Sequence, residues 1–445
     1  MTSGEPRVTA APSLPLLPPR VRAAIGEHRL ARLFALADQG FQGLGSIVAS
    51  AVLGRSLSPE QFGAVGVAIG AYYFVAGFHR SAITLPYLTE HRAAGDREDD
   101  RRYHSDWWWL GLAAALALAI ALVAIAGAIL AGFERQRWLT LPLALGAALT
   151  PPMLAADFAR RWLYKLGRAD LAAAVSALFF AALIGGAIVA ARVRPDAPAG
   201  VAAWASAATL TTLAALAVLR PTAPAARRAW ARFAPHAPFA GWLSLNIFPY
   251  TVYSTATVVI LIGALLGPGA AAVFTAARTL TNPAVSIVSA IDSTDKPRAA
   301  AALAEGGSRG LARAIAGTRR TLIVLTGGYL ALVALFAHPL IALAFHGQYA
   351  GVERDVQLLC AAFFLFCLNQ PSETLLIVLR ASRTLFVTRL ATAIVTLAAL
   401  VLAIPHGVPG MALAIAASQI ANIVLLTLAE RHALRRHTAA EQVPA

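Results

Sequence analysis

Long apolar runs alternate with short polar clusters along almost the whole chain. The runs, built mainly of Ala, Leu, Val, Ile and Gly, fall at residues 33–54, 62–88, 107–132, 138–158, 170–191, 200–219, 239–266, 269–291, 321–345, 354–379, 386–404 and 409–429. A helix needs roughly 20 predominantly apolar residues to cross a bilayer, so the pattern predicts an all-α membrane protein of about 12 transmembrane helices. The seventh run is the least regular, because Asn246 and Pro249 interrupt it.

Composition and charge sharpen this reading. The chain is 58% hydrophobic and 13% charged, against about 25% charged residues in a soluble domain, and its mean hydropathy is +0.66. The formal charge of +15 would suggest nucleic acid in a soluble protein. Here the basic residues flank the runs, where they set orientation, and no nucleic-acid partner is expected. With the N-terminus placed inside, and with Arg354 and Arg389 at the edges of their runs counted with the adjoining loops, 29 of the 37 Lys and Arg residues fall on inward segments and 6 on outward loops, while Arg80 and Arg278 lie deeper within runs. A miscounted run would scramble that alternation, so both termini are expected in the cytosol of a bacterium, with the chain in its inner membrane. The Pro-rich start lacks the order of a cleaved signal peptide.

The outward loops are short, which argues against membrane enzymes that keep catalytic acids on large external loops. Phosphate-loop, HExxH, CxxC and GxSxG motifs are absent from the sequence, and no cofactor, metal or enzymatic activity is expected. Cys360 and Cys367 lie seven apart in one apolar run and read as small core residues. Trp107, Trp108 and Trp109 open the third run and Trp138 the fourth, as interfacial anchors would.

The halves of the chain resemble each other. Ser58-Pro59 matches Gly267-Pro268, Gly167-Arg168 matches Ser382-Arg383, and the segment from Pro198 to Ala202 matches that from Val408 to Ala412, at offsets of 209, 215 and 210. This predicts a cytosolic tail over 1–30, a six-helix lobe over 31–220, a linker over 221–238, a second lobe over 239–430 and a tail over 431–445. Two such lobes share orientation, so their pseudo-axis follows the membrane normal and the cleft between them is the expected substrate site.

Charged residues inside the runs are where function is expected, because each costs about 2.5–3.5 kcal/mol at mid-membrane. Arg80 lies about 12 Å from the inner end of the second run and Arg278 about 14 Å from the outer end of the eighth. Arginine keeps its charge and grips phosphate with a planar fork, so this pair suits an anionic substrate such as a lipid diphosphate. His79, Asn246 and Asn282 complete the expected substrate-binding set. The competing reading pairs each Arg with a buried carboxylate, the choices being Asp38, Asp157, Asp292 and Glu373. Asp38, Asp157 and Glu373 are also the candidates for coupling to a proton or sodium ion. Asp38, Gln42 and Ser46 share one helix face, as cavity-lining residues would.

Three segments carry a family resemblance: "GRSLSPEQFGAVGVAIG" between the first two runs, "LGPGAAAVFTAARTL" between the seventh and eighth, and "GVPGMALAIAASQIANI" in the last. Together with the twelve runs and the duplication, they make the chain resemble the polysaccharide, or oligosaccharidyl-lipid, flippase branch of the multidrug/oligosaccharidyl-lipid/polysaccharide exporter superfamily. The resemblance implies two six-helix lobes around a cationic cavity. It implies transfer of an undecaprenyl-diphosphate-linked oligosaccharide from the cytosolic to the periplasmic leaflet by alternating access, for surface polysaccharide synthesis. The implied partners are that lipid-linked oligosaccharide, membrane lipid, a coupling proton or sodium ion, and the polysaccharide polymerase machinery. A multidrug exporter of the same superfamily is the main alternative, and its cavity would hold more acids than bases. A major-facilitator transporter is a further one, against which the loop "TEHRAAGDREDDRRYHSD" argues.

Overall fold

The structure, a computed structural model, describes residues 27–90, 97–254, 256–349 and 351–441. Most of the expected N-terminal tail and the side chain of Asp292 lie outside the described residues. Within them the chain is helical and forms no strand. Without water in the hydrocarbon, only a helix or a closed barrel satisfies its own backbone, and these Ala- and Leu-rich runs take the helical solution. Buried hydroxyls follow the same rule: Thr150, Thr211 and Thr326 each donate to the carbonyl four residues back.

The first lobe comprises α1 (Glu27–Ser56), α2 (Pro59–His79, extended through a π turn at Arg80–Thr84 and by Leu85–Thr89), α3 (Arg97–Gly132), α4 (Thr140–Lys165), α5 (Ala169–Val193) and α6 (Ala197–Leu219). A short helix, α7 (Ala226–Phe233), bridges to the second lobe. That lobe comprises α8 (Ala237–Tyr253), α9 (Val258–Leu266), α10 (Pro268–Leu322), α11 (Gly328–Leu335), α12 (Ala337–Phe345), α13 (Glu353–Leu368), α14 (Gln370–Val378), α15 (Ser382–Ala403) and α16 (Gly407–Glu441). Local chemistry sets several starts. Ser58 caps α2, accepting from the Gln61 amide at 3.3 Å ahead of Pro59, and Asp196 caps α6 at 2.8 Å from the Ala199 amide. Gly267 turns with φ 95° before Pro268 starts α10.

Helix pairing repeats between the lobes. In the first, α1 packs on α5, α5 on α6, α4 on α6 and α3 on α4; in the second, α8 packs on α15, α15 on α16, α13 on α16 and α11 on α13. Large apolar side chains such as Ile120, Val189, Leu213 and Leu402 remain exposed on the outside of the bundle, as a lipid-facing surface requires.

Several expectations are corrected. Eight helical stretches among the described residues are long and apolar enough to cross a membrane, or nine if the run from Ala226 to Leu266, bent by 48°, is one span. That count covers the described residues and takes the last two runs as one stretch, so it neither reaches nor contradicts twelve. The first and eighth runs lie on helix, but Asp38, Gln39 and Gln42 dilute one and Arg278 and Asn282 the other. The last two runs join through a 3₁₀ turn at Ile404–His406 into one stretch, Ser382–Thr438. The seventh run breaks after Tyr253 and not at Pro249, whose ring is held inside α8. Trp107 and Trp108 are core residues rather than interfacial anchors: both are buried against Tyr87, Phe158 and Trp162, and Trp109 donates to the Thr222 carbonyl at 2.8 Å. The expected C-terminal tail continues α16 as helix to Glu441.

The lobes meet along α1 and α2 against α9 and α10. Small residues allow the close approach. A Cβ on Gly63 would stand 2.3 Å from the Pro268 carbonyl oxygen, and one on Gly66 would stand 1.8 Å from Thr275 Oγ1. Beyond this seam, Arg55 of α1 donates to the Leu343 carbonyl and, at 2.7 Å, to the Ala344 carbonyl of α12. Gln348 donates back to the Arg55 carbonyl at 3.2 Å. Because the atom facing Gly63 is backbone, Gly63→Ala is expected to cost the closed seam about 1–3 kcal/mol. Disulfide formation between cysteines placed at Ser56 and Gln348, in a chain lacking Cys360 and Cys367, should then fall; an unchanged yield would contradict the tight seam.

Candidate functional site

The expected site residues fall into three polar clusters among the described residues, one inside each lobe and one between them. The first-lobe cluster is built on Asp38, which is fully buried. Asp38 accepts from Arg160 at 3.1 Å and Tyr164 at 2.7 Å, both on α4, and from Ser176 on α5. Gln42, one turn along α1, donates to the same Ser176 at 3.1 Å. Asp157 accepts from Arg160 at 2.7 Å and stands 3.5 Å from Arg161. The face of α1 expected to line a cavity is therefore split: Asp38 and Gln42 turn into the lobe, and only Ser46 reaches the cleft.

The second-lobe cluster occupies the counterpart place. Glu373 of α14 accepts from Arg389 of α15 at 2.6 Å, and the pair is 5% and 11% exposed, respectively. The Arg389 guanidinium also reaches the carbonyl and side-chain oxygens of Asn246 at 3.4 Å and lies 5.0 Å from the Tyr250 ring centre. Asn246 in turn donates to the Ser382 carbonyl at 3.2 Å. Asp38 on α1 and Asn246 on α8 hold matching positions, as do Asp157 and Glu373. The arginine comes from α4 in one lobe and from α15 in the other.

These contacts relocate much of the expected site. Each of the three carboxylates considered for ion coupling has an arginine partner, namely Arg160 or Arg161 in the first lobe and Arg389 in the second. Neither Arg80 nor Arg278 is the partner of Asp38 or Glu373 in those pairs. Asn246 is buried inside the second lobe, away from the cleft. His79 is buried as well, its Nε2 within 3.0 Å of the Gly111 carbonyl, so it ties α2 to α3.

Arg278 and Asn282 are placed together. They line a cavity between the lobes with Thr275 and Thr279 of α10, Ser46 and Ser50 of α1, and Gly66, Ile69 and Tyr73 of α2. The cavity encloses about 30 Å³, room for a water or two and not for a diphosphate, so the cleft is closed around this site. The Arg278 guanidinium is half-buried and lies over the Tyr73 ring, 5.1 Å from its centre. Among the described residues no carboxylate pairs with it. The ring holds the cation by its face and leaves the N–H edge, which is the part that binds oxyanions.

Arg80 begins the π turn of α2, seven residues past Tyr73 and so about 10 Å further along the helix. It is exposed and within electrostatic reach of Asp157. Arg160 touches both Asp38 and Asp157, and Arg161 and Arg80 stand near Asp157, three cations against two anions. With Arg278 and the balanced Glu373–Arg389 pair added, these described residues together carry more positive than negative charge.

Sequence reasoning missed Arg389. Counted among the basic residues of an inward loop, it lies nearly two turns into α15. Its place four residues into the eleventh run was the available signal, since a charge there needs either water or a buried partner.

The fold is shared with solved membrane transporters. The solved structures that share it include the lipid II flippase MurJ in an inward closed conformation, with a TM-score of 0.67, 10% identity and 93% of both chains covered. A MOP superfamily transporter from Pyrococcus furiosus gives 0.60 at 15% identity, covering 92% of this chain and 95% of that one. An outward-facing multidrug resistance MATE family transporter of the same superfamily gives 0.57 at 14%, with coverage of 92% and 95%. Residues 34–294, more than half of the chain, match the family described as polysaccharide biosynthesis protein, and the chain belongs to that family. No curated protein matches it by sequence.

Proposed function

We propose that this protein moves a diphosphate-linked lipid oligosaccharide from the cytosolic to the periplasmic leaflet of a bacterial inner membrane, by opening the cleft between its lobes alternately to each side. The observation that carries the proposal is Arg278. It is a half-buried cation in the cavity between the lobes, held by an aromatic face and paired with no carboxylate among the described residues. A diphosphate leaving water for a low-dielectric slab needs such a fixed charge. Asn282, Thr279 and Ser46 on the same wall supply hydrogen-bonding groups for phosphate or sugar, while the prenyl tail stays in lipid. Arg80 adds a second cation along α2. A cation-exporting cavity would call for the opposite sign.

The seam of Gly63 and Gly66 and the Arg55 contact close the outer end in this arrangement, and both must open in the second half of the cycle. Arg278→Ala and Arg80→Ala are each expected to lower polysaccharide display at the cell surface while protein level in the membrane stays normal. Normal display from both variants would remove the cationic-site reading.

A further inference from the structure

A second basic cavity, outside the cleft, points to a lipid site. It encloses about 320 Å³ between the turn from α14 to α15 and the extension of α16, and is lined by Leu379, Ala381, Thr384, His432, Ala433, Arg436 and His437. This is at the lower end of the roughly 300–1,000 Å³ of small-molecule sites. The sequence places it at the membrane boundary. Leu379 ends one apolar run, Thr384 precedes the next, and His432, Arg436 and His437 follow the last, which ends near residue 429. At 1.5 Å per residue they stand about 5–12 Å beyond that end. A headgroup layer is about 5–8 Å thick.

The cavity is amphiphilic. Leu379, Ala381 and Ala433 form an apolar side, and Arg436, His432 and His437 a basic one, with no carboxylate among the described residues that line it. The stretch 431–437 holds five basic residues and no acid. Glu430, just before it, is engaged by Arg319 at 2.9 Å and Ser372 at 2.7 Å. His437 Nδ1 lies 3.2 Å from Ser308 Oγ, which fixes the ring at one edge of the cavity. The first turn of α15, which contributes Thr384, has no side-chain cap, so its amide N–H groups add a partial positive charge on the same side.

We propose that this cavity binds a phosphate group, presented by an anionic membrane phospholipid whose acyl chains run down past Leu379 and Ala433. The site is independent of the cleft and does not rest on the transport reading. Bound lipid would brace α16 against the α14–α15 turn, because the phosphate would touch both.

The test uses the full chain purified in detergent. Unfolding temperature is followed during titration with phosphatidylglycerol, phosphatidylcholine or inorganic phosphate. Phosphatidylglycerol should raise it saturably in the wild type and in an Arg431→Gln/Arg435→Gln control, whose altered side chains belong to the same helix but do not line the cavity. The rise should be lost in His432→Gln/Arg436→Gln, whose side chains are exposed, so the fold should survive the change. An equal rise with inorganic phosphate would support the phosphate site and identify free phosphate as its source. An equal rise with phosphatidylcholine, or equal loss in both double variants, would overturn the proposal, because lipid in general or surface charge in general would then account for the effect.

Discussion

Glu373→Gln is expected to destabilise the protein by about 3–5 kcal/mol, and Glu373→Leu combined with Arg389→Met to recover most of that loss. Both side chains are nearly fully buried and meet at 2.6 Å. Glutamine keeps the shape and one carbonyl acceptor, so the change isolates the charge. The guanidinium would then sit in the second lobe beside the oxygens of Asn246, the Tyr250 ring and the Tyr253 hydroxyl, none of which carries a negative charge at neutral pH. Removing one partner of a buried pair is costlier than replacing both by apolar groups, since the lone charge keeps its desolvation cost without the attraction. Equilibrium unfolding of the purified chain in detergent measures both variants. Should Glu373→Gln unfold like the wild type, the pair holds nothing together, and Glu373 returns to consideration as a site that exchanges a coupling ion.

That outcome matters because the sequence showed where charges enter the membrane but not what they meet. The apolar runs were readable because lipid leaves the backbone one local solution, and each run repeats it. The duplication was readable because turn residues such as Ser58-Pro59 and Gly267-Pro268 recur at the same joints. Partner choice depends on rotation about helix axes and on which helices are neighbours, and helical spacing alone leaves both open. Asp38, Gln42 and Ser46 share a face, yet the lobe interior takes the first two and the cleft the third. Asn246 looked like a cleft residue for the same reason and is instead held by Arg389 and Ser382. The break after Tyr253 has no proline or glycine to announce it. Arg278 and Asn282, one turn apart on α10, both line the cavity between the lobes, a placement that the charge of one and the amide of the other do not by themselves dictate.

Arg278→Gln is expected to weaken binding of a short-chain prenyl diphosphate by about 100-fold or more, with Arg278→Lys falling between it and the wild type. A hydrogen bond to a charged group contributes about 1.5–3 kcal/mol, and a guanidinium can make two to one phosphate. The sum, about 3–6 kcal/mol, corresponds to roughly two to four powers of ten in affinity. Lysine restores the charge but not the planar fork, and it also loses part of the stacking on Tyr73, since its ammonium is a smaller, more strongly hydrated cation. Arg80→Gln should cost less than Arg278→Gln, because Arg80 is exposed and already shares the field of Asp157, so water and that carboxylate both weaken its hold on a ligand. Calorimetric titration of the detergent-solubilised chain ranks all three. If Arg278→Gln binds within a factor of two of the wild type while Arg80→Gln loses affinity, the anion site belongs to the arginine cluster of the first lobe. The cavity between the lobes would then be a packing defect of the closed state.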